Sequence, residues 1–144
     1  MNAPLTPARP SLDRPNPFDE LRDRGRLAPG DRELNAARWA TGDALRTLHR
    51  AGWTVAGSSV SPMHTDEARR ARRRLGNIMD AIEYDTWRIL NRVVLEGAAL
   101  SECRAFLPSA LVEAYALNAL ADHLRVALDH VGPMISQTER TSNG

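Results

Sequence analysis

The densest group of chemically active side chains is a run of basic residues near the middle of the chain. Five arginines fall within six positions: Arg69, Arg70, Arg72, Arg73 and Arg74. Guanidinium groups bind phosphate and carboxylate oxygens through paired hydrogen bonds. On a helix these positions cover more than half of the circumference, so some of them must face solvent. The cluster predicts a surface that contacts DNA phosphates. The competing interpretation is a solvated face whose arginines pair with neighbouring acids such as Asp66 and Glu67.

The four histidines and the single cysteine form no recognisable catalytic or metal-binding pattern. His123 and His130 lie seven positions apart, so on a helix they are about 10 Å apart and cannot share a metal ion without a third element. The chain has no glycine-rich phosphate loop, no paired cysteines and no His-Glu-x-x-His arrangement. We therefore expect no enzyme activity, no cofactor and no metal site. Cys103, close to Leu100 and Phe106, is expected to be a buried apolar side chain.

Composition and charge place the chain in a broad class. Its 144 residues, 42% of them hydrophobic, fit one small domain. All 19 basic residues are arginines and 18 residues are acidic, so the net charge of +1 indicates no particular partner. The charge is nevertheless divided, because residues 1–74 hold fourteen arginines and nine acids whereas residues 75–144 hold five and nine. No apolar run reaches the ~18 residues of a membrane span, and the N-terminus has no apolar signal segment, so we expect a cytoplasmic protein without membrane contact.

Proline and polar residues mark the ends of the region that can form a packed fold. Five of the nine prolines lie in residues 1–17, which predicts a disordered arm. We interpret 18–53 as an N-terminal helical segment, 54–64 as a linker, and 65–135 as a helical domain containing a helix-turn-helix. The polar residues 136–144 are predicted to form a disordered tail. Because the apolar periodicity is helical throughout, the predicted fold class is all-α, with about five helices.

Two helices are predicted upstream of the helix-turn-helix. Asp31 is a suitable N-cap for a helix that begins at Arg32 and stops at Gly52. Its apolar stripe comprises Leu34, Ala37, Leu45 and Leu48, with Thr41 in the same register. Thr65 is a suitable N-cap for the second helix. The apolar side of that helix comprises Leu75, Ile78, Met79 and Ile82.

Three further helical segments are predicted in the second half of the chain. The first covers about 86–96 and ends at Gly97. Leu100 and Ser101 fit the staple and N-cap positions of a short second helix. A turn of about three residues then leads to a third helix over about 110–131, whose apolar face comprises Leu117, Leu120, Ala121, Leu124, Leu128 and Val131. We expect the core of this domain to contain Trp87, Leu90, Val94, Leu117, Leu120 and Leu124.

A helix, a short helix, a turn and a longer helix make a helix-turn-helix. The segment DTWRILNRVVLEGAALSECRAFLPSALVEAYALNALADHLRVAL resembles the fourth region of bacterial sigma factors and related regulators, at the matching positions Leu90, Val94, Gly97, Leu100, Ser101, Ala105, Ser109, Leu117 and Leu120. The whole chain is also similar to a bacterial domain family associated with activators of phage-like gene transfer agents, through RGRLAPGDRELNAARWATGDAL and VVLEGAALSECRAF. These resemblances imply a DNA-binding transcription activator that works with RNA polymerase.

The start of the predicted third helix departs from that family pattern. Helix-turn-helix proteins insert this region into the major groove, where arginine, lysine, asparagine and glutamine read most bases. The candidate contacts here are Ser109, Glu113, Tyr115 and Asn118, of which only Asn118 is a typical base reader. No basic residue follows until Arg125. An acidic surface is repelled by the phosphate backbone, whose attraction normally dominates affinity.

Two functions from different classes follow. The first is a small transcriptional regulator that contacts DNA through the third helix and through the cluster from Arg69 to Arg74. The alternative is a protein-interaction module that docks on RNA polymerase or another regulator without reading DNA. A phage-type DNA-packaging adaptor is a third interpretation, because such proteins also carry helix-turn-helix domains. An oligomer is compatible with each of them.

Overall fold

The computed structural model describes residues 15–53 and 65–143, with side chains described up to residue 136. Within these ranges the chain is helical and contains no strand, which confirms the predicted all-α class. The predicted linker, 54–64, and residues 1–14 of the predicted arm lie outside the described residues.

Helix α1, Pro17–Asp23, begins at the last residue of the predicted arm, 1–17, and otherwise lies in the predicted helical segment, 18–53. Asn16 is its N-cap, and its side-chain oxygen accepts hydrogen bonds from the backbone N–H groups of Phe18 and Asp19 at 2.9 and 3.3 Å. Pro17 stands at the first helical position, where its missing N–H costs nothing. Only Pro17 of the predicted arm lies in this helix, because the Asn-Pro pair starts it.

Helix α2, Arg32–Trp53, begins at the predicted cap but buries a different face. The Asp31 carboxylate accepts a hydrogen bond from the N–H of Leu34 at 2.9 Å. Leu34 and Ala37 are exposed, so the first half of the predicted stripe was wrong. The residues buried on α2 are Asn35, Gly42, Leu45 and Gly52. Relative to the predicted stripe, α2 is rotated about its axis, because the Phe18 ring of α1 packs directly against Gly42. A side chain at Gly42 would collide with that ring.

Helix α3, Asp66–Ala81, matches its prediction more closely. The Thr65 hydroxyl accepts a hydrogen bond from the N–H of Ala68 at 3.0 Å, which confirms the predicted cap. Leu75 and Ile78 are buried as predicted, but Met79 is 38% exposed. Helix α3 packs extensively against α2.

Helix α4, Tyr84–Ile89, continues without interruption into a π-helical segment, Leu90–Leu95. The widened turns are visible in the hydrogen bond from the N–H of Glu96 to the carbonyl of Asn91, 2.8 Å long and five residues back. Gly97 ends the segment with a φ of +77°, as expected for a glycine stop.

A 3₁₀ helix, Leu100–Phe106, follows where a short α-helix was predicted. Its N-cap is Ala99 and not Ser101, which lies exposed inside the helix. The reason is that the Glu102 carboxylate accepts a hydrogen bond from the N–H of Ala99 at 2.8 Å. This bond places the N-cap two residues before the predicted one.

Helix α5, Glu113–Asn143, starts later and ends later than the predicted range of 110–131. It continues through Pro133 and along the segment predicted to be a disordered tail, 136–144, as far as Asn143. The connection before it spans 107–112, about twice the predicted turn, and Ser109 lies in this connection. The helix-turn-helix therefore stays a prediction.

One apolar core joins the elements on both sides of residues 54–64. Leu90, Val94, Leu120 and Leu124 are almost completely buried, as predicted. Leu117 was wrongly assigned to this core and is 37% exposed. The cluster also includes residues that precede 54–64 in the chain: Phe18, Leu27 and Leu45.

Candidate nucleic-acid interface

The start of α5 presents the predicted DNA contacts to solvent. Glu113, Tyr115 and Asn118 are exposed, and Tyr115 is 68% exposed. The opposite face of the helix is buried through Ala116, Leu120, Leu124, Ala127 and Leu128. Because residues three and four positions apart share a helix face, burial of one side turns the other side outward.

The connection that leads into α5 is held by the side chain of Arg104. Its guanidinium donates hydrogen bonds to the backbone carbonyls of Pro108, Ser109 and Leu111 at 2.9, 3.3 and 2.6 Å. The exposed Ser109 therefore lies on an ordered backbone. Because all of these bonds go to backbone oxygens, Arg104 acts as a structural clamp.

The predicted arginine cluster divides on α3 into residues with different surroundings. Arg69 pairs with Asp66 at 2.8 Å on the protein surface. Arg72 is directed to α2, where its guanidinium donates to the carbonyl of Gly52 at 3.0 Å. Arg70 and Arg73 are exposed, whereas Arg74 is half-buried. The five arginines are therefore not one continuous phosphate-binding surface.

The structure also separates the cluster from the start of α5. Arg38 on α2 pairs with Asp129 on α5 at 2.6 Å, and three residues later on each helix Thr41 lies beside Gly132. These two contacts show that α2 and α5 run in the same direction. Along α2, Gly52 lies about 16 Å beyond Thr41 in the C-terminal direction. Along α5, Asn118 lies about 21 Å before Gly132, in the N-terminal direction. The two predicted halves of the DNA site therefore lie on opposite sides of the contact between α2 and α5.

Two arginines that the sequence analysis did not single out lie much closer to the start of α5. Arg24 and Arg26 are exposed and line a cleft of about 240 Å³ together with Glu20 and with the start of the 3₁₀ helix at Ala99 and Leu100. The backbone here is tied to α5, because the Arg125 guanidinium donates twice to the carbonyl of Arg26, at 3.0 and 2.7 Å. The Arg-x-Arg spacing of Arg24 and Arg26 is visible in the sequence. Their neighbour on α5, Arg125, is 99 positions from Arg26, so no local pattern places the pair beside α5.

The outward side of α5 is acidic, as its composition predicts. Glu113 and Asp122 are exposed, and the only nearby cation on α5 among the described side chains, Arg125, pairs with Asp122 at 2.7 Å. Arg38 is neutralised in the same way, since the hydrogen bonds that it donates to the Asp129 carboxylate raise the pKa of its guanidinium. Cations for binding phosphate must therefore come from elements other than α5.

The described part of the chain offers no assembled metal site: no three histidine, cysteine, aspartate or glutamate residues are grouped closely enough to hold an ion. Cys103 is completely buried, which confirms its predicted role as a core residue, and burial raises the pKa of its thiol. Among the described helices, none has the length and apolar composition needed to cross a membrane.

Comparison with protein families, with curated proteins and with solved structures finds no match to this chain. The resemblance to the fourth region of sigma factors therefore stays a prediction from the sequence.

Proposed function

We propose that this protein is a small, non-enzymatic transcriptional regulator that binds duplex DNA with the start of α5 and acts together with RNA polymerase. The observation that carries the proposal is the exposure of Tyr115 and Asn118 in the first turns of a helix whose other face is fixed in the core, with the exposed Ser109 in the connection just before it. Helix-turn-helix proteins read DNA with the first turns of such a helix. The resemblance to sigma-factor region 4 supports the same function.

The side chains at this position supply limited base recognition. The Asn118 amide has the donor and acceptor geometry that pairs with adenine in the major groove, and the Glu113 carboxylate is able to accept from the amino group of cytosine. Ser109 carries a hydroxyl that suits either a base or a phosphate oxygen. With one good bidentate reader, the protein has weak intrinsic sequence preference.

A docking function is the second candidate, favoured by the apolar side chains at the same place. Val112, Tyr115 and Val126 are 62%, 68% and 64% exposed, and the acidic residues Glu113 and Asp122 lie among them. Aromatic side chains are enriched in protein interfaces, and the acids suit a basic partner surface. A basic surface on RNA polymerase or on another regulator has this chemistry.

Binding to duplex DNA tests the proposal directly. A duplex enriched from a random pool is titrated by fluorescence polarisation with the full chain at low and moderate salt. Replacing Asn118 with alanine should reduce discrimination between the selected duplex and a random duplex by about 1–3 kcal/mol. Asn77→Ala is the matched control, because Asn77 is an exposed asparagine on α3.

The outcome also separates the two candidates. If neither the selected nor the random duplex binds at low salt, the DNA-binding proposal is wrong. Capture of an RNA polymerase subunit that is lost in a Val112→Ser, Tyr115→Ser variant would then support the docking function.

A further inference from the structure

Resting on the DNA-binding function proposed above, we infer that Arg24 and Arg26 are the residues that grip the DNA phosphates beside α5. They replace in this role the predicted cluster from Arg69 to Arg74. The ligand chemistry is a pair of phosphate groups on the backbone of duplex DNA. The inference is carried by the position, exposure and surroundings of these two side chains.

The segment that carries both arginines is rigidly attached to the helices around it. Besides the two bonds from Arg125 to Arg26, the carbonyl of Leu27 accepts from Arg38 at 2.6 Å and its N–H donates to the Asn35 side chain at 2.9 Å. Gly25, with a φ of +68°, reverses the chain between the two arginines, a conformation that other residues rarely adopt. Rigid placement matters because side chains on an ordered backbone lose less entropy on binding.

Both guanidinium groups are available for an external ligand. Within the described part of the chain neither Arg24 nor Arg26 pairs with a carboxylate, whereas the adjacent Arg22 pairs with Asp23 at 3.0 Å and lies over the Trp39 ring. The half-buried Glu20 lines the same cleft and lowers its positive charge. Two cations against one carboxylate leave the cleft with a net positive charge.

Distance favours this pair over the cluster on α3. Arg125, which binds the Arg26 carbonyl, is seven residues from Asn118 on α5, a separation of about 10 Å. The major groove of DNA is about 12 Å wide, so the segment whose carbonyl Arg125 binds lies beside the phosphate rim when the start of α5 occupies the groove. Arg70 and Arg73 lie on α3, whose Arg72 binds the C-terminal end of α2, on the other side of the contact between α2 and α5.

The test compares two double variants that remove the same charge from opposite ends of the molecule. Arg24→Ala, Arg26→Ala and the matched control Arg70→Ala, Arg73→Ala are titrated with the same duplex over a series of salt concentrations. Each lost phosphate contact lowers the slope of log affinity against log salt by about 0.9. The first variant should lose about 1.8 of this slope, and the control should keep the wild-type slope. A circular dichroism melt confirms that each variant is folded.

Three results would overturn the inference. Equal loss in the two variants would indicate a general charge effect. A larger loss in the Arg70, Arg73 variant would assign the phosphates to α3 and leave the proposed function intact. Absence of binding by the wild-type protein would overturn the proposed function itself. Glu20→Gln provides an independent check, because removing the carboxylate from the cleft should strengthen DNA binding without removing any cation.

Discussion

Asn35 is the residue on which the turn between α1 and α2 depends. Its side chain is buried, accepts the N–H of Leu27 at 2.9 Å and donates to the carbonyl of Arg22 at 2.9 Å. Both backbone groups belong to the segment that carries Arg24 and Arg26. A buried amide that satisfies two backbone groups is worth more than its own hydrogen bonds, because its loss leaves both groups unpaired.

Replacing Asn35 with leucine should therefore lower the free energy of unfolding by about 2–4 kcal/mol, since each backbone group left unpaired costs about 1–3 kcal/mol. Urea denaturation measures the change. Asn77→Leu, an exposed position on α3, is the control and should change stability little. Equal stability of the Asn35 variant and the wild type would contradict the assigned role.

Asp19 gives the protein an acid-sensitive contact between α1 and α2. Burial alone would raise the pKa of its carboxyl, but hydrogen bonds from Trp39 at 2.8 Å and Arg46 at 2.9 Å, together with the nearby charges, outweigh burial and lower the pKa. Because the pKa of Asp19 is lower in the folded state than in the unfolded state, its ionised carboxylate stabilises the fold at pH values above the unfolded-state pKa. This stabilisation is lost as the pH falls through the folded-state pKa.

We expect Asp19→Asn to destabilise the protein by about 1 kcal/mol at neutral pH, a figure reduced for partial exposure of the carboxylate. The difference between variant and wild type should narrow as the pH falls below 3.8, the ordinary aspartate value. Thermal melts at a series of pH values measure it. A difference that stays constant down to pH 2 would show that the charge of Asp19 has no stabilising effect.

At the scale of elements, α5 shows how a single apolar stripe divides between core and surface. Leu120 is completely buried, while Leu117, one turn earlier, is 37% exposed. Truncating Leu120 to alanine should cost about 2–5 kcal/mol, because it leaves a cavity as well as losing apolar burial. Leu117→Ala is the matched control and should cost much less. If the two variants melt at the same temperature, α5 does not pack on the face described.

The contact between α1 and α2 requires a glycine on α2. A Cβ at Gly42 would collide with the Phe18 ring, so Gly42→Ala should destabilise the protein by about 1–3 kcal/mol. Gly76 on α3 is also helical, but a Cβ there meets nothing within 4 Å. Gly76→Ala should instead stabilise the protein by about 0.5–1 kcal/mol, through the higher helix propensity of alanine. Urea titration of the two variants should give shifts of opposite sign.

At the scale of the whole molecule, the core connects the N-terminal helices with the C-terminal ones. Phe18 and Leu45 belong to the same buried cluster as Leu90 and Leu124. A shared core predicts one cooperative unfolding transition rather than separate melting of the segments before and after residues 54–64. Tryptophan fluorescence and helical circular dichroism should therefore report the same midpoint in urea. Two separated transitions would show that the two parts unfold independently.

Local signals in the sequence are enough to establish the all-α class and the starts of α2 and α3. Asp31 and Thr65 cap helices as predicted, and Gly97 ends one. These signals work without tertiary information because caps and apolar periodicity act between residues only a few positions apart. The same local spacing located Leu120 and Leu124 in the core.

The buried face of α2 and the composition of the candidate site depend on how the helices pack. Gly42 and Gly52 are buried on α2, but glycine carries no apolar side chain, so a hydrophobic stripe cannot reveal a face made by close approach. Because α2 and α5 pack in the same direction, the cluster on α3 lies away from Asn118, whereas Arg26 lies beside Arg125. Such pairings join residues about a hundred positions apart in the chain, and they depend on the direction in which helices pack, which no local pattern encodes.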